Sequence, residues 1–314
     1  MIHILPPLIS HSIVFANTIA LMAISSTLTL SKTNVPNFAV ATFGTVGIYI
    51  AFTCVKLIGL GLYLSIPFCF FGGGVVGVLT YLLVIKPLRK RGATSEELMI
   101  STLALDIFLI ALINIYADYL TRSFKIMARD FTFSVYDKQI FGMDGVFVIS
   151  TSLFFLIFIA LHLLFTRTNL GVAMKAMGEK PFLAECDGVN TELLYLITWF
   201  IAGALPALAG VFFPVYWISN PTISLFVVVT VFSGCVLGGF TTMYDSALGG
   251  YIVAIAQTAL VSYLSSIFGS WILSYNFLVP LLTMIVVIFV LPEGIKGLKW
   301  EKLAEILHRE GIPR

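Results

Sequence analysis

The sequence predicts an all-α fold: a polytopic integral membrane helix bundle of about eight or nine transmembrane helices, with an outer N-terminus and a cytoplasmic C-terminus. Hydrophobic residues make up 59% of the 314 residues, and the mean hydropathy is +1.02. Charged residues make up only 11%, against about 25% in an ordinary soluble protein, which is too few to cover a soluble surface. Since a membrane-spanning helix needs about 20 apolar residues, this composition suffices for roughly nine spans.

Short polar segments separate the apolar stretches and set the predicted spans. The Asn220-Pro221 pair marks one separator, because such dipeptides are typical of turns. The predicted spans are 8–30, 36–58, 60–85, 98–118, 146–165, 193–217, 223–240, 247–268 and 272–291.

The whole chain, 1–314, is expected to form one transmembrane domain with three longer polar segments. The loop at 119–145 mixes charges with phenylalanines, so we expect a small ordered cap that is either a solvated connector or a docking surface. The loop at 166–192 is expected on the inner side. The segment 292–314 is expected to be a cytoplasmic tail, with a short interfacial helix at 298–307 where apolar residues alternate with charges.

The distribution of lysine and arginine sets the orientation, because these residues are concentrated on the cytoplasmic side of membrane proteins. With the C-terminus and alternate loops placed inside, 13 basic residues fall inside and 5 outside. The inner set is Lys32, Lys86, Arg89, Lys90, Arg91, Arg167, Lys175, Lys180, Lys296, Lys299, Lys302, Arg309 and Arg314; the outer set is Lys56, Arg122, Lys125, Arg129 and Lys138. This asymmetry predicts an outer N-terminus and an odd number of spans.

No arrangement of reactive side chains indicates an enzyme, a metal site or a nucleic-acid surface. The net charge of +2 gives no strong basic field. The cysteines lack Cys-x-x-Cys spacing and the histidines lack His-Glu-x-x-His, the spacings typical of zinc sites. Gly72-Gly73-Gly74 lies inside a predicted span without a following Gly-Lys-Ser/Thr, so it predicts close helix packing. We therefore expect no catalytic residue, no metal and no cofactor bound by this chain.

Asp106 is the one acidic residue well inside a predicted span, roughly 12 Å from its inner end at 1.5 Å per residue. A charge at that depth costs several kcal/mol unless it is paired or hydrated. Asp106 is therefore expected to face the interior, either along a water-filled pathway or in a structural hydrogen bond. Gln257, near the middle of its span, carries the same two interpretations. Asn17 and Asn114 are expected to form hydrogen bonds between helices.

The loop at 166–192 has the composition of short helices rather than of a flexible linker. Residues 173–177 favour helix, Pro181 suits the first turn of a second helix, and Gly188 suits its end. Two short helices in a cytoplasmic loop form a rigid protrusion. The loop is therefore either a docking element for a partner or an ordered connection.

The same loop resembles the cytoplasmic loop of the branched-chain amino-acid ABC transporter permease family, the LivH/LivM type. The resemblance lies in a Gly-x-Ala-x-Lys-Ala run followed by an alanine and Gly-Val, and other segments match in family order over nearly the whole chain. The matching segments are 171–176, 184–189, 36–39, 86–89, 204–210, Pro221, 237–239 and 291–297. The departures are Lys175 in place of arginine, Phe240-Thr241 after the Gly-Gly pair, and Ser25-Ser26 in place of glycines.

The resemblance implies that the chain is the permease subunit of an ATP-driven ABC importer in the cell membrane. Its implied partners are a second permease subunit, two cytosolic ATPases and an extracytoplasmic substrate-binding protein, with ATP and Mg held by the ATPases. Closure of the ATPase dimer would move the cytoplasmic loops and reorient the spans by alternating access. The implied substrates are branched-chain or related amino acids.

The resemblance also implies that the inner loop, 166–192, is a coupling loop seated in a groove of the ATPase. Its expected coupling residues are Gly171, Ala173, Lys175, Ala176, Glu179, Pro181, Ala184 and Gly188. The matching segments further supply candidate pathway residues, which are Asn37, Pro221, Gly238 and Gly239, beside Asp106 and Gln257.

Two alternatives stay open. Ribose-type sugar ABC permeases share the broad loop pattern, although the Asn-Phe-Ala and Pro-Leu-Arg matches favour amino acids. A proton- or sodium-coupled secondary transporter would use Asp106 as its ion site. Such transporters usually carry several intramembrane charges and a repeated half, whereas this sequence shows one such charge and no convincing repeat.

Overall fold

The computed structural model describes residues 6–140, 142–291 and 294–297, and over these ranges the chain is almost entirely helical. Five shorter helical turns connect or extend the α-helices, namely 3₁₀ turns at Leu62–Ser65, Ser134–Tyr136, Ser270–Tyr275 and Gly294–Gly297 and a π-helical turn at Tyr81–Ile85. The α-helices are α1 Pro7–Thr33, α2 Val40–Lys56, α3 Ile66–Thr80, α4 Lys86–Lys90, α5 Ser95–Phe124, α6 Gly145–Arg167, α7 Asn169–Glu179, α8 Pro181–Cys186, α9 Thr191–Gly210, α10 Phe213–Tyr216, α11 Ser224–Gly238, α12 Met243–Phe268 and α13 Leu278–Val290.

Each predicted span coincides with an apolar helix of the described chain. Six helical segments are long and apolar enough to cross a membrane: Pro7–Thr33, Leu62–Lys90, Ser95–Phe124, Gly145–Arg167, Thr191–Tyr216 and Met243–Phe268. The helices α2, α11 and α13 are shorter. A helix of 15 residues such as α11 is about 22 Å long, less than the roughly 30 Å of the hydrocarbon core. The polytopic bundle is therefore confirmed, whereas eight or nine complete crossings and the orientation stay predictions.

α1 runs through the centre of the bundle. It packs against α9 and α12, and also against α6 and α11, and its polar side chains bond to these neighbours. The Ser25 hydroxyl donates to the Ala202 carbonyl of α9 at 2.7 Å. The Thr27 and Ser246 hydroxyls lie 2.6 Å apart between α1 and α12. Ser25, which stands where the permease family resembled by this sequence has a glycine, thus connects α1 to α9.

Glycines allow α3 to approach α9 closely. A methyl group on Gly73 would lie 2.6 Å from the Gly203 carbonyl oxygen, and one on Gly74 would overlap the Phe200 ring. On Gly77 it would lie 3.0 Å from the Gly203 nitrogen. The structure thus agrees with the prediction that the triple glycine serves helix packing.

The two asparagines predicted to form hydrogen bonds between helices behave differently. Asn17 of α1 donates to Ser150 of α6 at 3.3 Å and accepts from the Tyr251 hydroxyl of α12, as predicted. Asn114 donates instead to the Ile110 carbonyl of its own helix at 2.9 Å and accepts from Arg129 of the outer loop at 3.2 Å. The interhelical prediction for Asn114 was therefore wrong. Its helix, α5, is largely unburied along its apolar length, which leaves few helices within reach.

The loop at 119–145, called the outer loop after its predicted position, is an ordered cap. The Phe131 and Ser219 backbones exchange hydrogen bonds of 3.1 and 3.0 Å, and the Phe133 N–H donates to the Pro214 carbonyl at 2.6 Å. Both phenylalanines are buried, with the Phe131 ring centroid 4.5 Å from that of Phe52 in α2. Its use as a docking surface stays a prediction.

Large apolar side chains are exposed along α3, α5, α6, α12 and α13. An apolar outer surface of this extent is typical of contact with lipid. Within the predicted tail only the turn Gly294–Gly297 is described, and the predicted interfacial helix at 298–307 lies outside the described residues.

Candidate functional site

The inner loop consists of the two short helices α7 and α8, as the sequence predicts. Thr168 begins α7 by accepting a hydrogen bond from the Gly171 N–H at 3.2 Å. Pro181 is the first residue of α8, where its missing N–H costs nothing. Gly188 follows α8 with φ of +81°, a conformation that favours glycine. Asn190 then begins α9 by accepting from the Leu193 N–H at 3.1 Å.

One side of the loop is buried against the bundle. A methyl group on Gly171 would lie 2.5 Å from the Phe165 Cα of α6, and one on Gly178 would lie 2.5 Å from the Ser31 carbonyl of α1. Met174 and Met177 are buried in the cluster that contains Trp199 of α9. The loop is therefore held rigidly against the inner ends of α1, α6 and α9.

The other side of the loop faces away from the bundle. Phe182 is 74% exposed and Leu183 is 52% exposed. Apolar side chains exposed beyond the ends of the membrane helices are typical of a contact surface for another protein. Sequence reasoning missed both residues, although their place directly after Pro181 could have indicated the exposed face of α8.

The predicted coupling residues divide between these two sides. Gly171 and Ala184 are buried, and Ala173 and Pro181 are half-buried, so they support the loop. The exposed ones are Lys175, Ala176, Glu179 and Gly188. A methyl group on Gly188 would meet no atom of the described residues within 4 Å.

A basic segment fixes the inner ends of three helices beside this loop. Lys86 of α4 forms an ion pair with Glu192 of α9. Arg89 donates to the Thr33 carbonyl at the end of α1, and its guanidinium lies 4.0 Å from the ring centroid of Tyr195 in α9. The segment that resembles the family's Arg-Pro-Leu-Arg loop thus ties α4 to the two central helices.

Asp106 lies between α5 and α2, and it is 9% exposed. The Thr42 hydroxyl of α2 donates to its carboxylate. One turn away, Thr102 donates to the Pro36 carbonyl at 3.0 Å. Asn37 is fully buried at the start of α2, where its side-chain oxygen accepts from the Ala39 N–H at 3.1 Å. This geometry favours the structural interpretation of Asp106.

Gln257 lies on the wall of a cavity of about 430 Å³, enclosed by α1, α10, α11, α12 and the turn Ser270–Tyr275. The side chain is 6% exposed, and its Oε1 accepts from the Thr230 hydroxyl of α11 at 3.1 Å. Phe15, Phe213 and Trp217 form an aromatic part of the wall. Gln257 is the one predicted pathway residue that lines this cavity.

The other predicted pathway residues lie at the ends of α11. Pro221 is buried in the outer turn that precedes α11. Gly238 ends α11 against α12, where a methyl group would lie 2.6 Å from the Asp245 carbonyl oxygen. Gly239 follows with φ of +74°, and a methyl group on Gly294 would lie 2.7 Å from its Cα. Close packing accounts for these glycines, and their role in a pathway stays a prediction.

Two carboxylates, those of Asp137 and Asp144, accept hydrogen bonds beside the outer cap. Asp137 accepts from the Tyr63 hydroxyl and from the Val146 N–H at 3.0 Å, and Asp144 accepts from the Tyr216 hydroxyl at 2.7 Å. Burial raises the pKa of Asp137 above its ordinary value, and the hydrogen bond from Tyr63 opposes this shift.

Across the described residues, no group of three His, Cys, Asp or Glu side chains could hold a metal ion.

An apolar helical bundle with a rigid two-helix protrusion and a cavity between its helices is typical of a multi-pass membrane protein of the transport class. The chain belongs to the family described as the branched-chain amino acid transport system / permease component, whose model matches residues 8–289. The members of this family are transport components rather than enzymes.

Individual proteins similar to this chain are also named as branched-chain amino acid permeases. The chain is 36% identical, over 96% of its length and 95% of the relative, to the probable branched-chain amino acid transport permease protein LivH of Methanocaldococcus jannaschii. It is 26% identical to the high-affinity branched-chain amino acid transport system permease protein LivH of Escherichia coli, over 91% of the chain and 94% of the relative. It is 25% identical to the corresponding protein BraD of Pseudomonas aeruginosa, with the same coverage. No solved structure matches the chain.

Proposed function

We propose that this chain is the membrane-spanning permease subunit of an ATP-driven importer that moves branched-chain amino acids across the cell membrane by alternating access. The observation that carries the proposal is the family match over residues 8–289. The match includes the α7–α8 loop, whose outward side chains are those of a docking surface. The relatives named above are all branched-chain amino acid permeases.

The proposed assembly places the energy source outside this chain. Two cytosolic ABC ATPases bind ATP and Mg, a second permease subunit completes the pathway, and an extracytoplasmic binding protein delivers the substrate. The distribution of basic residues supports a cytoplasmic position for α7, α8 and the C-terminus. In this orientation α8 points toward the ATPase, and the outer cap points toward the binding protein.

The loop is built to pass motion to the central helices. Its inner side contacts α1 at Ser31 and α9 near Trp199, and α1 and α9 also pack directly against each other. Because the contact with α1 is close to backbone atoms and the contact with α9 is a packed cluster of buried side chains, a displacement of the loop by the ATPase is expected to move α1 and α9 together. Such a movement provides the reorientation that alternating access requires.

The two alternatives have less support. A sugar permease is not favoured, since the relatives named above are amino-acid permeases. A secondary transporter would need Asp106 on an ion path, whereas its carboxylate accepts a hydrogen bond from Thr42 between two packed helices. The membership of an ABC permease family also favours an external ATPase.

The test is uptake of radiolabelled leucine into liposomes by the transporter assembled with its ATPases and binding protein. Uptake is expected to require ATP and to exceed ribose uptake by at least tenfold. Phe182→Glu is expected to release the ATPase during purification and to lower substrate-stimulated hydrolysis at least tenfold, because it places a charge in a contact surface. Ala176→Trp on the same loop is expected to act in the same direction.

The matched control is Phe124→Glu, an equally simple change of an exposed phenylalanine at the outer end of α5. This variant is expected to retain both the ATPase and its stimulation. Normal hydrolysis and uptake by both loop variants would contradict the coupling role. ATP-independent uptake driven by a proton or sodium gradient would instead establish the secondary transporter.

A further inference from the structure

The cavity beside α1 has an apolar wall and a polar wall. Phe15, Trp217 and Val227 belong to the apolar part, and Gln257 and Thr258 belong to the polar part. His11 is the single titratable side chain among the described residues that line it. At about 430 Å³ the cavity is within the range of small-molecule sites.

Gln257 presents an unused donor to the cavity that it lines. Its Oε1 is occupied by the Thr230 hydroxyl at 3.1 Å. Its Nε2 donates no hydrogen bond to any of the residues that the structure describes, although the side chain is only 6% exposed. Because the side-chain oxygen is held by Thr230, the amide N–H is available to a ligand that brings an acceptor oxygen into the cavity.

We propose that this cavity binds the side chain of an aliphatic amino acid on its way through the permease, with Gln257 Nε2 donating to the ligand carboxylate. The inference rests on the proposed function and deepens it, because it makes the permease itself selective. The apolar wall favours branched side chains, since each buried CH₂ group is worth about fourfold in affinity. Thr258 and Ser262 line the same wall as Gln257, and the charged end of the ligand is assigned to this wall.

The polar wall distinguishes this ligand from a lipid acyl chain and from a sugar. An acyl chain has no acceptor for Gln257 and would separate the polar wall from water, which is unfavourable. A sugar would place several hydroxyl groups against Phe15, Phe213 and Trp217, where they find no partners. An aliphatic amino acid matches both walls.

Trp217 provides a direct readout, because its indole lines the cavity. The assembled transporter, in nanodiscs without ATP, is titrated with leucine, isoleucine, valine, alanine and ribose while tryptophan emission is recorded. The three branched amino acids are expected to give a saturable change that disappears in Trp217→Phe. Alanine is expected to bind at least tenfold more weakly than leucine, and ribose is expected to give no change.

Two variants test the assigned contacts. Gln257→Leu removes the donor and is expected to weaken leucine binding about tenfold, the usual loss for a hydrogen bond to a charged group. Val227→Phe fills the cavity and is expected to abolish binding. The matched control is Gln139→Leu, which changes an exposed glutamine of the outer loop and is expected to leave binding unchanged.

Unchanged leucine binding in both Gln257→Leu and Val227→Phe would overturn the inference. An emission change that follows lipid exchange but not amino acids would also overturn it and would indicate an acyl-chain site. ATP-dependent leucine uptake is measured in parallel to separate the two proposals. Normal uptake by both cavity variants removes the cavity site and leaves the importer, whereas intact binding without ATP-dependent uptake removes the importer and leaves the site.

Discussion

At the scale of single residues, the carboxylate of Asp106 shows how a membrane interior accommodates an acidic side chain. It accepts a hydrogen bond from Thr42 on the neighbouring helix, and both residues are buried. The contact joins α5 to α2, and α5 has few other contacts with the bundle. The side chain therefore has a clear structural use that needs no substrate.

Two substitutions at Asp106 separate this use from a role in transport. Asp106→Asn keeps an acceptor oxygen for Thr42, so stability and leucine uptake are expected to stay near wild type. Asp106→Leu leaves the Thr42 hydroxyl without its acceptor and is expected to lower the free energy of unfolding by about 1–2 kcal/mol. Thermal unfolding in nanodiscs measures the loss. A stable Asp106→Asn protein with impaired uptake would show instead that Asp106 belongs to the pathway.

The residue scale also shows where sequence reasoning stops. Asp106 and Gln257 stand out in the sequence because polar groups are rare in apolar stretches, and both prove to be buried and hydrogen-bonded. The sequence does not show that Gln257, unlike Asp106, lines the cavity of about 430 Å³, because that depends on contacts between helices distant in the chain. Phe182 was missed because an apolar side chain is expected to be buried, and its place directly after Pro181 was the one signal of exposure.

At the scale of helices, the approach of α3 to α9 depends on glycine. Gly77→Ala would place a methyl group 3.0 Å from the Gly203 nitrogen and 3.1 Å from its Cα. These are backbone atoms that cannot rotate away, so the helices must separate. We expect the free energy of unfolding to fall by about 1–3 kcal/mol, the usual range for overpacking.

The matched control for Gly77→Ala is Gly61→Ala, because a methyl group there meets nothing within 4 Å and its φ is −61°. Thermal unfolding of both proteins in nanodiscs provides the comparison. Equal midpoints for the two variants would show that α3 and α9 adjust at no cost, contrary to this interpretation.

The positions of the helices in the sequence were largely predictable, whereas it was not predictable which helices are buried in the bundle and which face lipid. Apolar stretches between polar separators predicted every long apolar helix of the described chain, since the bilayer requires apolar spans. Ends were less accurate: α5 extends from Ser95 to Phe124 instead of 98–118, because Thr94 and Glu97 form a capping box that begins it earlier. The sequence cannot separate buried helices from lipid-facing ones, because both surfaces are apolar in a membrane.

At the scale of the whole molecule, the charge asymmetry predicts which face is cytoplasmic. Arg91→Cys and Lys138→Cys, each in a background with the four native cysteines replaced, are expected to react oppositely with a membrane-impermeant thiol reagent added outside cells. Lys138→Cys is expected to react and Arg91→Cys to be protected, and both native side chains are exposed.

Native Cys186 supplies a second inner reporter, because it is the exposed cysteine of the four and lies at the end of α8. Restored alone, it is expected to react only after the membrane is permeabilised. Equal labelling of all three positions in intact cells would disprove the orientation and, with it, the cytoplasmic position of the coupling loop.

The central position of α1 has a consequence for how the chain is made. The ribosome releases α1 before the helices that enclose it, and its hydrogen-bond partners on α9 and α12 lie 177 and 219 residues later in the chain. Until those helices are inserted, Ser25 and Thr27 face lipid or the insertion machinery without their final acceptors. Assembly of the core is therefore a late, post-insertion event, and truncation upstream of α12 leaves hydroxyl groups of α1 without their partners, which membrane quality control can recognise.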